Sequence, residues 1–330
     1  MMENLFEQGM LENISACPVC GGKGHKCIAA KDLIFFSGGD TWVYSRCVQC
    51  CSVYLSERPK SEYIIRAYER YYTHSDRVGF VTRCVRFLVA AYVKRNLIGA
   101  AFRAVARALY PVACFFDARS RNITCWQQGK LFDYGCGNGE FLSLCRGIGI
   151  EVEGADLDSD AIKHASSRGL KVQQGGVEVL KEIPSESFDW VTISHVIEHV
   201  YEFDHLLAEF NRILRPGGKL WIETPNGTAA GLEEFSQYWR GLEPPRHLLL
   251  FSRRALLGEL HNNGFEVISE RYHFLSGLLL YVSSERIRKQ AGVSGSYGVL
   301  GAVCSGAWRD VRSFFCRDRA ELITLLCQKR

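Results

Sequence analysis

Three glycines at alternate positions, in the segment LFDYGCGNGEF at 131–141, constrain the fold of this chain more than any other feature. The apolar residues before them predict a buried strand, and the glycines predict a tight turn where a ligand can approach the backbone. The turn opens a helix, whose free N–H groups favour an anionic ligand. A second apolar strand ends at Asp156, 21 residues after Gly135, where a carboxylate can accept hydrogen bonds from ribose hydroxyls. This segment therefore predicts half of a nucleotide-binding α/β fold.

The glycine spacing distinguishes two classes of nucleotide ligand. Dinucleotide-binding loops follow G-x-G-x-x-G, whereas this chain has D-x-G-x-G-x-G, beginning at Asp133. That pattern resembles the first motif of class I S-adenosylmethionine-dependent methyltransferases. The resemblance implies that the glycine loop contacts the amino-acid end of the cofactor and that Asp156 holds the ribose. The cofactor-binding residues expected on this basis are Asp133, Gly135, Cys136, Gly137, Gly139, Asp156, Leu157, Val177, Ser194 and Tyr72.

Downstream segments follow in the order of the same family. Residues 187–194 predict a fourth strand, and residues 203–214 carry apolar side chains at helical spacing. The string ILRPGGKL is similar to the family's turn into a fifth strand, predicted at 219–224, since Pro and Gly end the helix. Residues 320–328 look like the last strand, so the resemblance covers about residues 129–330.

The segment after the third strand departs from the family pattern. Related enzymes often carry an acidic residue there for the adenine amino group, and Gly176 takes that place here. We therefore expect adenine to be held by backbone and apolar contacts, with Val177 as a candidate.

Composition and charge fit a globular enzyme. The 330 residues are 47% hydrophobic and 23% charged, which allows a full core and a second domain. The net charge of +4 does not by itself indicate nucleic-acid binding. The N-terminal segment is acidic without a long apolar core, and no apolar run approaches the roughly 20 residues of a membrane-spanning helix. We therefore expect a cytoplasmic protein.

Four of the fourteen cysteines have the spacing of metal ligands. They form two C-x-x-C pairs, Cys17 with Cys20 and Cys47 with Cys50. Each pair offers two thiolates from one tight turn, and Zn²⁺ accepts four thiolates in a closed tetrahedral site. This spacing predicts a zinc ribbon with a structural metal. In the alternatives, Cys51 replaces Cys50, or Cys27 or His25 joins the site.

A zinc ribbon before such a domain looks like bacterial methyltransferases of sugar and surface-polysaccharide pathways. The string PRHLLLFS, within residues 238–252, is similar to a segment after the fifth strand in that group. Ligands bind near the carboxyl ends of strands in α/β sheets, where this loop would lie. Sugar-nucleotide C-methyltransferases share the ribbon but usually carry a further domain with a Tyr/Glu/His set, for which this chain has no matching string.

Two groups of side chains are candidates for a catalytic base. His247 lies in the predicted substrate-facing loop, and a histidine pKa lies near working pH. A structural role in the Pro-Arg-His turn is the alternative. His195, Glu198 and His199 stand at i, i+3 and i+4, which predicts one helical face beside the fourth strand.

The alternatives for this second group are a polar helix start packed under the cofactor and a divalent-metal site. Some ubiquinone-pathway O-methyltransferases resemble the stretch and use similar positions near a metal. The H-x-x-E-H string also matches a zinc-peptidase motif, but neither a distal ligand nor a long active-site helix accompanies it.

Residues 61–128 predict helices that bridge the two domains. In similar enzymes the segment around Tyr68, Tyr71 and Tyr72 folds over the cofactor as a lid, and ordinary packing is the alternative. Residues 83–107 carry six basic residues and no acidic one, with apolar runs between them. A basic amphipathic helix of this kind can lie on an anionic membrane, or pack on the core with its charges in water.

Together these patterns predict a doubly wound, Rossmann-like α/β fold with a small N-terminal domain. By resemblance the sheet has seven strands, with the last antiparallel. The expected organisation is a zinc ribbon at 1–60, a helical segment at 61–128, a methyltransferase domain at 129–330, and acceptor-site insertions near 226–252 and 272–318.

The expected activity is methyl transfer from S-adenosylmethionine to an oxygen of a sugar, glycolipid or related small molecule. The alternatives are C-methylation of a nucleotide sugar and O-methylation of a quinone-like or lipid acceptor. We expect no nucleic-acid partner and leave open a peripheral contact of 83–107 with the inner face of the membrane. Three other hypotheses remain. Tight NAD binding would support a nicotinamide-dependent oxidoreductase, and an RNA or DNA affinity that falls steeply with salt would support a nucleic-acid-binding protein. Cofactor binding without turnover would support an inactive methyltransferase-like scaffold.

Overall fold

The computed structural model describes residues 4–36, 38–68, 80–126, 129–272, 276–293 and 298–330. The strands are β1 Leu11–Asn13, β2 Gly24–Ala30, β3 Trp42–Cys47, β4 Val53–Leu55, β5 Glu57–Pro59, β6 Lys130–Tyr134, β7 Glu151–Asp156, β8 Lys171–Gln174, β9 Phe188–Ser194, β10 Leu214–Pro225, β11 Leu249–Leu250, β12 Phe265–Arg271 and β13 Leu322–Lys329. The helices are α1 Phe80–Val93, α2 Leu97–Ala108, α3 Tyr110–Arg119, α4 Glu140–Arg146, α5 Ser159–Ser167, α6 Val177–Lys181, α7 Phe203–Ile213, α8 Ala230–Phe235, α9 Arg253–Asn262, α10 Ser276–Gln290 and α11 Gly298–Phe315.

A seven-stranded sheet in the order β12-β13-β10-β9-β6-β7-β8 forms the centre of the molecule. β13 lies antiparallel to both of its neighbours, whereas β10, β9, β6, β7 and β8 run parallel. This confirms the predicted doubly wound sheet with its last strand antiparallel. The strand order reverses between β6 and β9, and ligands of open α/β sheets bind at such a switch point.

Helices cover both faces of this sheet. The first face packs against α1, α3, α4 and α5, with Tyr92 and Phe116 in the same core cluster as Leu131. The second face packs against α6, α7 and α9, with Phe210 and Leu256 in the core. Apolar residues at helical spacing therefore bury their stripes as the sequence predicted. None of the described helices is both long and apolar enough to span a bilayer.

The basic segment 83–107 is two helices rather than one continuous helix. α1 ends at Val93, and α2 begins after Asn96, whose side-chain oxygen accepts a hydrogen bond from Gly99 N at 2.9 Å. Asn is a favoured N-cap residue, so a new helix starts there. Periodicity within each helix was visible in the sequence, but the break between them was missed.

The N-terminal ribbon shares a sheet with a loop of the central domain. Strands β2, β3 and β4 pair in order, and β11 adds to β4 through Leu249 opposite Tyr54. Leu55 N also donates to Leu248 O at 3.0 Å. The ribbon therefore holds the segment that carries the Pro-Arg-His string.

A buried ion pair fastens the same loop from a second side. Arg246 is fully buried and donates to Asp32 Oδ2 at 3.0 Å and to Ala67 O at 3.1 Å. Its guanidinium also lies 4.6 Å from the centre of the Phe35 ring. The side chain thus joins the ribbon, the connecting segment and the central domain at one point.

We expect Arg246→Met to destabilise the protein by about 3–5 kcal/mol, because it leaves the Asp32 carboxylate buried without its cation. Urea unfolding followed by circular dichroism measures this change. Arg254→Met is the matched control, since Arg254 is exposed on α9, and should stay within about 0.5 kcal/mol of the parent. Equal losses in the two variants would contradict the role assigned to the ion pair.

Candidate functional site

The glycine loop follows β6 and turns directly into α4. Gly135, Gly137 and Gly139 all have positive φ, at 77°, 51° and 73°. A Cβ placed on Gly135 would lie 2.3 Å from the side chain of Val196, so only glycine fits both the conformation and the space. The backbone N–H groups of Gly135 and Cys136 both donate to Ala155 O, at 2.8 and 3.0 Å, which ties the loop to the end of β7.

Asp156 lies at the carboxyl end of β7 and faces this loop. Its Oδ2 accepts a hydrogen bond from Gly137 N at 2.8 Å, and its Oδ1 accepts one from Asp158 N at 2.9 Å. Each carboxylate oxygen has a second lone pair. The side chain can therefore fix the loop and still accept bonds from two ribose hydroxyls.

Asp133 lies beneath the loop, in a fully buried position. Its Oδ1 accepts bonds from Arg121 and from Thr192 Oγ1, the latter at 2.7 Å. Burial raises the pKa of Asp133, and the Arg121 guanidinium opposes that shift. Cys136 is also buried. These contacts suit support of the loop rather than direct contact with a cofactor, and Arg121 is a partner that sequence reasoning missed.

The expected adenine end of the cleft lies beyond Asp156. Leu157 is 69% exposed there, and Val177 begins α6. Glu178 Oε1 accepts a hydrogen bond from Gly176 N at 2.7 Å. An acidic side chain therefore lies beside Gly176, the position where related enzymes often carry the acid. The acid stands two positions later than expected, so counting along the sequence did not find it.

Two other predicted cofactor residues lie elsewhere along the cleft. Ser194 is half-buried at the end of β9, beside the start of the glycine loop. Tyr72 lies outside the described residues, as does Tyr71. Tyr68 is described, and its hydroxyl lies 3.1 Å from His199 Nδ1.

The H-x-x-E-H string does not form the predicted helical face. His195 has φ 54° in the left-handed region, and only Ile197–His199 form a single 3-10 turn. His195 N donates to Glu223 O at 2.9 Å, so β9 continues to pair with β10 just where a helix would begin. Because of this turn, His195 and His199 point to different partners.

His195 lies between two carboxylates. Its Nδ1 is 3.6 Å from Glu198 Oε1, and its Nε2 is 3.4 Å from Glu223 Oε1. Both acids are buried, and each is fixed by a threonine hydroxyl: Thr224 donates to Glu198 and Thr324 to Glu223. The His195 side chain itself is 47% exposed and therefore accessible to an acceptor.

The charges of this group reinforce one another. Burial alone would lower the pKa of His195. The contacts with Glu198 and Glu223 outweigh this effect and raise the pKa to about 10. Burial likewise opposes the ionisation of Glu198, but its contact with the His195 ring lowers the pKa of the Glu198 carboxyl. The group can therefore hold a proton on His195 against two fixed negative charges.

His199 and His247 lie behind Glu198. His199 Nδ1 is 2.9 Å from Arg246 O, His247 Nδ1 is 2.8 Å from Gly241 O, and the two ring centres are 4.7 Å apart. Because each Nδ1 faces a carbonyl oxygen, which can only accept, each Nδ1 carries the proton. Each Nε2 then has a free lone pair. Burial lowers the pKa of both rings, so both are neutral at pH 7.

The site thus contains a set of groups that suits a divalent cation. One ligand atom each from Glu198, His199 and His247 lies within 4.8 Å of the others. Two neutral imidazoles and a carboxylate are common ligands of first-row metals. Sequence reasoning grouped His199 with Glu198 by spacing, whereas His247 joins them only through the fold.

The four ribbon cysteines converge on one point. Cys17 Sγ and Cys50 Sγ are 3.6 Å apart, and Cys20 Sγ and Cys47 Sγ are 3.4 Å apart. Zn–S bonds of about 2.3 Å in a tetrahedron separate the sulfurs by about 3.8 Å, so the arrangement fits zinc. Cys51 is exposed, and Cys27 Sγ lies 3.4 Å from Tyr44 O, so neither belongs to the group.

Comparison with known proteins assigns the family. Residues 100–270, just over half of the 330 residues, match the sequence model described as "Methyltransferase domain". The chain belongs to this family. It is similar to the ubiquinone biosynthesis O-methyltransferase of Nitrosococcus oceani, with 36% identity over 105 residues, 30% of this chain and 44% of that protein. The corresponding protein of Sinorhizobium medicae is 36% identical over 115 residues, 32% of this chain and 46% of the relative.

The match spans less than half the length of these two curated relatives. Among solved structures, a SAM-dependent methyltransferase from Archaeoglobus fulgidus is 23% identical, with a TM-score of 0.42. That alignment covers 68% of this chain and 94% of the other.

We expect Asp156→Asn to weaken S-adenosylhomocysteine binding by about 2 kcal/mol, or roughly thirtyfold, because charge-assisted bonds to the ribose are lost. Isothermal titration calorimetry measures the affinity. Asp160→Asn makes the same change on an exposed acid in the first turn of α5 and should bind as the parent does. Unchanged affinity in Asp156→Asn would remove Asp156 from the cofactor site.

We expect Cys20→Ser to lose bound zinc, because three thiolates no longer close the tetrahedron. Inductively coupled plasma mass spectrometry on the purified protein measures metal content, and thermal unfolding measures the accompanying loss of stability. Cys51→Ser, next to the last ligand in sequence, should retain about one zinc per chain. Equal zinc content in both variants would contradict the four-cysteine site.

Proposed function

We propose that this protein transfers a methyl group from S-adenosylmethionine to a hydroxyl oxygen of a quinone-like or other lipid-like acceptor. The observation that carries the proposal is the adjacency of two features at the switch point. The glycine loop with Asp156 forms a nucleotide cleft after β6 and β7, and His195 with its two carboxylates lies next to it, after β9. Contact between Gly135 and Val196 joins the two.

On the cofactor side, the chain supplies shape and hydrogen-bond partners. Asp156 accepts ribose hydroxyls, Leu157 and Val177 flank adenine, and Glu178 is placed to accept its amino group. Asp133 and Arg121 hold the loop from below. S-adenosylmethionine supplies a methyl group already activated by its sulfonium, so the protein has to align the acceptor oxygen and exclude water.

On the acceptor side, His195 acts as the general base. A hydroxyl nucleophile gains from losing its proton as the new O–C bond forms. The deprotonated form of His195, which is the minor form at neutral pH because the pKa of the ring is raised to about 10, takes that proton, and Glu198 and Glu223 stabilise the imidazolium that results. His247 and His199 act through Glu198, which they contact from behind. We therefore give direct contact with the acceptor to His195 rather than to His247.

The acceptor class rests on relatives and on chemistry. The matching part of the chain is similar to proteins named ubiquinone biosynthesis O-methyltransferases, which favours a phenol-like hydroxyl over a sugar hydroxyl. The ribbon and the Pro-Arg-His loop are the features that pointed to sugar and glycolipid acceptors. Assays with a hydroxylated quinol and with nucleotide sugars, each with radiolabelled S-adenosylmethionine, distinguish the two classes.

The ribbon has a positioning role in this proposal. Tyr44, on β3, donates its hydroxyl to Leu242 O at 2.8 Å and to His247 O at 3.1 Å. Zinc held by the four cysteines stabilises the strands that carry Tyr44 and thereby the loop behind Glu198. The predicted division into ribbon, helical segment and methyltransferase domain is retained as part of the proposal, with residues 249–250 belonging to the ribbon sheet.

We expect His195→Gln to lower kcat by roughly 10²–10⁴-fold, because the acceptor loses its base. S-adenosylhomocysteine affinity should not change. In the parent, kcat/KM should rise with pH up to the raised pKa of His195, since only the deprotonated ring accepts a proton. Glu223→Gln removes one of the two carboxylates that raise this pKa. The rise of kcat/KM with pH should therefore occur at lower pH in this variant than in the parent.

The pH profile of Glu266→Gln is the control, because Glu266 is an exposed acid on β12. Its profile should overlay that of the parent. The proposal for His195 fails if Glu223→Gln also keeps the parent profile, or if His195→Gln retains full turnover.

A further inference from the structure

One face of α2 is apolar and exposed to solvent. Leu97 is 88% exposed, and Ile98 and Val105 are also largely exposed. Ala101, Ala104 and Ala108 are exposed as well. The opposite side of the helix packs inward through Ala106. A soluble surface rarely leaves several large apolar side chains together on one helix face.

α11 carries a second exposed apolar stripe. Leu300, Trp308, Val311 and Phe315 recur at helical spacing over the length of the helix, and Phe315 is 82% exposed. The other side of α11 is buried through Ala302. The stripe therefore faces away from the core over its full length.

An aromatic contact links the end of α2 to α11. Tyr110, at the start of α3 just after α2, contacts Phe314 of α11 with ring centres 6.3 Å apart. Phe314 in turn contacts Phe315 at 5.3 Å. We call the exposed apolar residues of α2 and α11, with Tyr110 between them, the α2/α11 surface.

Most charges close to this surface are basic, although Arg86 pairs with Glu140 and Asp318 follows α11. Segment 80–116 carries six basic residues and no acidic one, and Arg83, Lys94 and Arg107 among them are exposed. Arg312 adds an exposed positive charge on α11. The acid of α11, Asp310, is buried and accepts a bond from the Tyr272 hydroxyl at 2.8 Å.

From this combination we propose that the α2/α11 surface binds the interface of an anionic lipid bilayer. Exposed Leu, Ile, Trp and Phe side chains enter the headgroup region, and the surrounding basic side chains bind anionic headgroups. A second copy of the chain fits less well, because a symmetric contact places two like-charged basic segments together. The surface shares no residue with the cofactor cleft or the His195 group, so membrane binding does not depend on the proposed chemistry.

The test is co-sedimentation of the full-length protein with vesicles. Phosphatidylcholine vesicles with and without phosphatidylglycerol are compared at low and high salt. We expect binding that requires phosphatidylglycerol and weakens with salt, together with a blue shift of tryptophan fluorescence. Leu97→Ser/Trp308→Ser should bind more than about tenfold more weakly, because two apolar side chains that would enter the headgroup region are lost. Arg107→Glu should weaken binding to the anionic vesicles.

Two matched controls separate surface binding from unfolding. Ile65→Ser changes a similarly exposed apolar residue on the ribbon side, and Lys171→Glu reverses an exposed charge on β8, the last strand at one edge of the sheet. Both should bind vesicles as the parent does, and all variants should keep parental S-adenosylhomocysteine affinity. The proposal is overturned if the parent ignores anionic vesicles, or if the surface variants bind them as well as the parent. A concentration-dependent dimer that the double variant abolishes, with no vesicle binding, would assign the surface to a second copy instead.

Discussion

The buried pair of Arg246 and Asp32 is the interaction on which the acceptor side of this molecule depends. Arg246 directly precedes His247, so its ion pair fixes the backbone of the loop that closes behind Glu198. Asp32 belongs to the ribbon, and the ribbon in turn is built around the four cysteines. The fold of the ribbon and the position of the histidine cluster are therefore coupled through Asp32 and Arg246. A buried charge pair tolerates little displacement, because each partner left alone loses both its solvation and its counter-ion.

The parts of the site that could be predicted from sequence are those whose physical requirement is local. Gly135, Gly137 and Gly139 need positive φ, and Asp156 follows at a spacing set by one helix and one strand. The two C-x-x-C pairs likewise bring their own geometry. Glu223 and Arg121 could not be found in this way, because each meets its partner only after separate strands or helices have packed. Glu223 lies one residue before the end of the predicted fifth strand, however, and the shared carboxyl edge of neighbouring parallel strands was a usable signal.

The H-x-x-E-H string shows why spacing alone misled. Positions i, i+3 and i+4 share a face only if the backbone is helical, and here the preceding strand continues its pairing through His195 N. Packing of Val196 against Gly135 fixes the next residue, so the chain turns through a left-handed residue instead of starting a helix. Tertiary contacts therefore outweigh periodicity at the one place where cofactor loop and acceptor site meet. For the same reason, periodicity did not predict the break at Asn96 between α1 and α2.

The electrostatics of the His195 group match the charge balance of the proposed reaction. In the reactive form, which is a minor one at neutral pH because the pKa of His195 is raised to about 10, the cofactor sulfonium is positive and the His195 ring is neutral. After transfer, the sulfur is neutral and His195 is an imidazolium. Glu198 and Glu223 thus face the imidazolium after transfer, and their positions are fixed beforehand by hydrogen bonds from Thr224 and Thr324. Fixed dipoles and charges that need not reorganise are the main source of enzymatic stabilisation, so in the proposed reaction the two threonines act by holding these carboxylates, without touching the acceptor.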